Sequence, residues 1–97
     1  MSALWIANVH VTDEETYAKY AAIATEVITG HGGVFLARGG RHLQMEGRDR
    51  ARNVVARFPS VEAAEAAYNS PRYQEALIYA HAAAERDLVI VEEVAPA

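Results

Sequence analysis

The chain has no cysteine, only three prolines and six glycines, and no apolar run near the roughly 20 residues that a membrane-crossing helix needs. The missing cysteine excludes disulfides, thiolate nucleophiles and thiolate metal sites. No basic stripe relieves a formal net charge of -4, which speaks against nucleic acid as a partner. The early apolar stretch Ala3 to Val11 is broken by Asn8 and His10, has no basic segment before it and leads into a helix cap rather than a cleavage site. With neither leader nor disulfide the expected compartment is the cytoplasm, and no membrane association is expected. A P-loop, a Ser-His-Asp constellation and a Rossmann fingerprint are also missing: Gly30, Gly32 and Gly33 open a strand, not a helix. None of the four histidines has the i, i+4 spacing of a helical metal pair, so no metal and no cofactor is expected.

What is there is 97 residues, 52% hydrophobic and 23% charged, the balance of one globular domain over 1–97. Such a length buries roughly 65% of the unfolded surface, too little for a deep enclosed cavity without help from a second subunit. Leu4 to Val11 is β-rich, and Thr12-Asp13-Glu14-Glu15 fits a capping box with Thr12 as the cap. Helical spacing of Tyr17, Tyr20, Ala21, Ala24, Val27 and Ile28 predicts a helix from Asp13 to Thr29, with Gly30 as its left-handed terminus. Val34 to Arg38, set between glycine pairs, is a second strand and Asn53 to Phe58 a third; Leu43 to Glu46 reads as a hairpin arm or an irregular loop. Ser60 caps a short helix to about Tyr68, and Ser70-Pro71 starts another that runs to about Ala84. Arg86-Asp87 then reads as a turn before a last strand, Leu88 to Val94.

This order, β-α-β-β-α-β with the second helix broken, is the α+β ferredoxin-like arrangement, an antiparallel sheet with helices on one face. Alternation assigns Trp5, Val9, Phe35, Ala56, Val89 and Val91 to the helix side. The opposite face then carries Ile6, Asn8, His10, Leu36, Arg38, Arg57, Ile90 and Glu92, too apolar to stand in water yet set with polar groups. Such a face predicts a homodimer in which two sheets pack into a barrel.

Trp5-Ile6-Ala7, Val11-Thr12-Asp13, Tyr17 with Tyr20, the run Gly33 to Gly40, Glu46-Gly47, Phe58-Pro59-Ser60 and Ser70 to Gln74 together carry a resemblance. Over nearly its whole length the chain resembles domain-of-unknown-function family 1330, within the dimeric α/β-barrel superfamily. The resemblance implies a homodimer of ferredoxin-like subunits and brings no settled activity with it. Arg57 departs from the pattern, which more often looks like a Glu at that place.

With the first and third strands taken as parallel central neighbours, Asn8, His10 and Arg57 would converge at one end of the open face. Arg38 and Glu92 would then sit towards the other end, on outer strands roughly 14 Å apart. Guanidinium forks bind carboxylates at two points, so Arg38 or Arg57, with Asn8, would hold an acidic ligand, and His10 would move a proton. The competing account is that both arginines form interface salt bridges. The five tyrosines read as core residues whose hydroxyls reach partners, and His31 as a helix cap. Three functions stay open: a binder of a small polar or anionic organic molecule in or near the dimer barrel, a cofactor-independent isomerase or monooxygenase-like enzyme, and a structural module whose partner fills the open face.

Overall fold

Burial alternates along β1 (Ala3–Val11), with Ala3, Trp5, Ala7 and Val9 inward, the period-2 signature of a half-covered sheet. The computed structural model describes residues 1–95. After β1 come α1 (Glu14–Gly30), β2 (Val34–Arg38), β3 (Arg52–Phe58), α2 (Val61–Asn69), α3 (Pro71–Ala83) and β4 (Ala84–Glu92). The fold is the α+β, ferredoxin-like one that the element order predicts. Its four strands form an open sheet, ordered β2-β3-β1-β4, and not a closed barrel.

The expected parallel pairing of the first and third strands does not occur: β1 and β3 are antiparallel, with Leu4 opposite Arg57 and Asn8 opposite Asn53. The helical crossover makes β1 and β2 run the same way, and β3, returning from β2 into the gap between them, must run against both. Asn8 and Arg57 therefore lie towards opposite ends of the sheet.

Asp13, one residue later than expected, is the cap of α1; its carboxylate accepts from the Thr16 amide and hydroxyl. The amides of Thr12 and Asp13 both donate to the Ala83 carbonyl, which ties the start of α1 to the end of α3. At the other end Gly32, not Gly30, takes the positive φ of +85°. Ser60 and Ser70 cap α2 and α3 as the sequence predicts, with Pro71 in the first turn of α3. Residues 39–51 form no hairpin arm; they make an irregular excursion between β2 and β3.

Two strands differ in which way their side chains point. In β2, Phe35 opposes Ala56 while Ala37 opposes Val55, so Leu36 is an extra, bulged residue. The bulge reverses the phase beyond it and turns Arg38, expected on the open face, to the helix side opposite Val54. In β4 no turn forms at Arg86-Asp87, because the strand starts at Ala84 directly from α3. Its register pairs Trp5 with Ile90 and Ile6 with Val89, so Leu88 and Ile90 face the helices and Val89 and Val91 the open side.

The core lies between this face of the sheet and the helices. Trp5, Phe58 and Tyr73 are fully buried, with the Trp5 and Tyr73 rings edge to face at 5.3 Å. Ala76, Ala80 and Ala83 let α3 lie close against α1. Among the described residues no helix is long and apolar enough to cross a membrane.

Candidate functional site

Antiparallel register places Arg52, Val9 and Arg86 in one row across the helix side of the sheet, and Arg38, Val54, Ala7 and Leu88 in the next. Three guanidinium groups from three strands thus meet at one end of the face that covers the core. Each lies over an aromatic ring: Arg38 over Phe35 at 4.4 Å, Arg52 over Tyr17 at 5.8 Å and Arg86 over Tyr20 at 4.5 Å. Arg38 also donates to the Thr25 hydroxyl on α1. Among the described residues none of the three forms an ion pair, although Arg48, Arg50, Arg57 and Arg72 all do.

Arg86 is the innermost. Its Nη2 donates to the Tyr20 hydroxyl at 2.7 Å and to the Tyr73 hydroxyl at 3.2 Å, and those hydroxyls share a 2.7 Å hydrogen bond. Its Nε is buried with no partner among the described residues. Burial, reinforced by Tyr73, pushes the Tyr20 hydroxyl far above its ordinary range, so it stays a neutral donor. Burial raises Tyr17 as well, against the pull of Arg86 and Arg52. For Arg86 burial opposes the charge, the oxygens of Tyr20 and Tyr73 outweigh it, and the guanidinium is held above its usual range.

Two spaces adjoin Arg86. Beneath α1 a narrow hollow of about 30 Å³ is walled by Trp5, Tyr17, Tyr20, Arg38, Arg52 and Arg86, room for little more than a water or one small polar head. On the β4 side lies an open recess of about 380 Å³, over Leu88 and Ile90 and flanked by Tyr68, Asn69 and His81. Arg86 is the residue common to both.

The residues singled out from sequence are not brought together. Asn8 donates to the Asn53 side chain at 2.7 Å, and Asn53 in turn donates to the Arg50 carbonyl, anchoring the 39–51 excursion to the sheet. His10 is exposed near the end of β1, opposite Glu85. Arg57 is six positions away in the β1 register and pairs with Glu93 at 2.6 Å, on a part of the surface where Glu93 also accepts from Ser2. Arg38 alone of the four lines the hollow with Arg52 and Arg86, from the neighbouring row. His31 places Nδ1 2.9 Å from the Val27 carbonyl at the end of α1.

Arg86 and Arg52 escaped the sequence reading. Arg86 is in phase with Leu88 and Ile90, which alternation set on the open face, so only the pairing of β4 with β1 turns it inward. The tyrosine cluster is legible as core, but not as a hydrogen-bonded relay closed by an arginine.

No curated protein matches the chain. Solved structures do. A protein of unknown function from Rhodopseudomonas palustris is 22% identical with a TM-score of 0.80, over 98% of this chain and 84% of that one. A dimeric protein of unknown function with a ferredoxin-like fold from Bacteroides fragilis is 12% identical with a TM-score of 0.63, over 95% and 96%. SnoaB, a cofactor-independent oxygenase from Streptomyces nogalater, is 10% identical with a TM-score of 0.58, over 98% and 95%. At these identities the likeness is one of fold. A family model matches residues 2–94, from the first strand to just past the last, and the chain belongs to that family, described as Domain of unknown function (DUF1330).

Proposed function

We propose that the protein is a homodimer that binds a small anionic organic molecule beside Arg86, its acid group drawing on the charge of Arg38, Arg52 and Arg86. The observation that carries this reading is the three arginines, from two neighbouring rows, left without carboxylate partners among the described residues beside an aromatic-lined hollow. Arg38 is exposed and Arg52 and Arg86 are half-buried, so an acid group would meet three cations that no protein carboxylate neutralises among the described residues, in the two-point geometry that guanidinium forks favour. The site lies on the helix side of the sheet, away from the dimer barrel interior expected from the sequence.

Thermal melting with a panel of small organic acids tests it. A ligand that binds only the folded state raises Tm in proportion to the logarithm of its concentration above Kd. Acids should raise Tm, their amides should not, and the Arg38→Ala/Arg52→Ala double variant should respond less. A panel in which no acid shifts Tm would overturn the reading.

The open face supports the dimer. Val34, Val89 and Val91 are exposed there beside half-buried Ile6 and Val55. Strand rise and spacing give this face a footprint of roughly 500 Å², below the about 800 Å² per partner of a stable interface. The 39–51 excursion adds Leu43 and Met45, 74% and 83% exposed, as further contact area.

A catalytic reading draws support from the oxygenase among the structures of similar fold. His10, the expected base, lines a recess of about 270 Å³ that it shares with Arg52 but not with Arg38 or Arg86.

A further inference from the structure

Counting donors at Arg86 leaves a remainder. Tyr20 and Tyr73 carry one hydroxyl proton each, and both oxygens already accept from Arg86 Nη2. One proton fills the hydrogen bond between them, so the other has no acceptor among the described residues. Arg86 Nε adds a second buried donor without a partner. Buried donors are seldom left unmet, because each costs its full desolvation. Among the described residues the cluster therefore holds two donors without an acceptor, and a charged group with two oxygens would match the edge of its guanidinium.

The hollow that Tyr20 and Arg86 line admits only a compact group, whereas the recess on the other side of Arg86 falls in the size range of small-molecule sites. That recess is lined by Leu88, Ile90 and Tyr68, surfaces suited to an apolar body, and by Glu65, Asn69 and His81, with Arg86 its one guanidinium. We infer that the ligand is a monocarboxylate with an apolar, ring-sized body: its carboxylate accepts from Arg86, the residue that the hollow and the recess share, and its body lies in the recess over Leu88 and Ile90. This rests on the reading above that the site takes an organic anion.

The test is titration of the ¹⁵N-labelled protein with acetate, benzoate, benzamide and inorganic phosphate, followed by amide shifts. Benzoate should bind at least tenfold more tightly than acetate, shifting Arg86, Leu88 and Ile90, and benzamide should bind far more weakly. His81→Trp, a change at an exposed wall of the recess, should abolish the advantage of benzoate and leave acetate unchanged. Arg86→Met should lose both acids; its amide spectrum reports whether it is folded, and the His81→Trp result stands independently if it is not. Equal affinity for acetate and benzoate, or a benzoate advantage that survives His81→Trp, overturns the placement of the body. Phosphate binding without benzoate binding overturns the carboxylate. Absence of every anion response overturns the underlying reading as well, an outcome distinct from the other two.

Discussion

Arg86 stands with its guanidinium carbon 4.5 Å from the Tyr20 ring centre while its Nη2 donates to the Tyr20 hydroxyl at 2.7 Å, so one side chain engages both the face and the oxygen of the other. The pair joins β4 to α1 through the core, and Tyr73 on α3 completes it.

Tyr20→Phe keeps the ring and removes that oxygen, leaving Arg86 and Tyr73 short of a partner. The expected loss is about 1–3 kcal/mol in urea unfolding. Tyr79→Phe, at a partly exposed ring with a cation above it, should change stability by less than about 0.5 kcal/mol. Equal effects would mean that the relay contributes nothing beyond ring packing.

Val89 and Ile90 are adjacent in sequence and face opposite sides of the sheet. Val89→Asp places a carboxylate on the open face and should convert a dimer to a folded monomer, read by light scattering coupled to gel filtration. Ile90→Asp puts the charge against the Trp5 side of the sheet and should cost several kcal/mol of folding stability. A Val89→Asp protein that remains dimeric places the interface elsewhere.

Gly33 has no room for a side chain: a Cβ there would lie 2.6 Å from Ile28 Cγ2 and 2.9 Å from Phe58 Cζ. Gly33→Ala should therefore destabilise by about 1–3 kcal/mol. Gly30 is helical with open space around it, and Gly30→Ala should stabilise by about 0.5–1 kcal/mol. Chemical denaturation of the two variants reads both signs.

Asp13 gives a pH signature. The Thr16 side chain, then the Thr16 amide, hold its carboxyl below the ordinary 3.8. A carboxyl whose folded pKa lies below its unfolded value contributes stability above the unfolded value and loses it as pH falls through the folded one. Wild type should shed this contribution below about pH 4, and Asp13→Ala, lacking it throughout, should converge with wild type there. Melting curves between pH 2.5 and 6 check the convergence; a constant gap between the two proteins would show that the cap does not titrate.

The helices were legible because their signals are local. Ser60, Ser70-Pro71 and the spacing of Tyr17, Tyr20, Ala24 and Val27 act within a turn or two of chain. The cap at Asp13 instead of Thr12 and the positive φ at Gly32 instead of Gly30 are shifts of one or two residues, because several polar residues or glycines compete for each end. The site was less legible. Arg38 was singled out but assigned to the wrong face, since nothing in Val34 to Arg38 marks Leu36 as the bulge.

The sequence by itself determined the element order and the ferredoxin-like arrangement, since capping and helical periodicity are written in residues close along the chain. Tertiary structure decided the direction of β3 beside β1, the phase of β4 and the side to which Arg38 points. Alternation cannot choose a face when Leu88, Val89, Ile90 and Val91 are all apolar; only pairing with β1, which sets Ile90 beside Trp5, breaks that symmetry. The meeting of Arg38, Arg52 and Arg86 follows from those pairings, and residues 14 and 34 positions apart along the chain become neighbours only once the strands are in register.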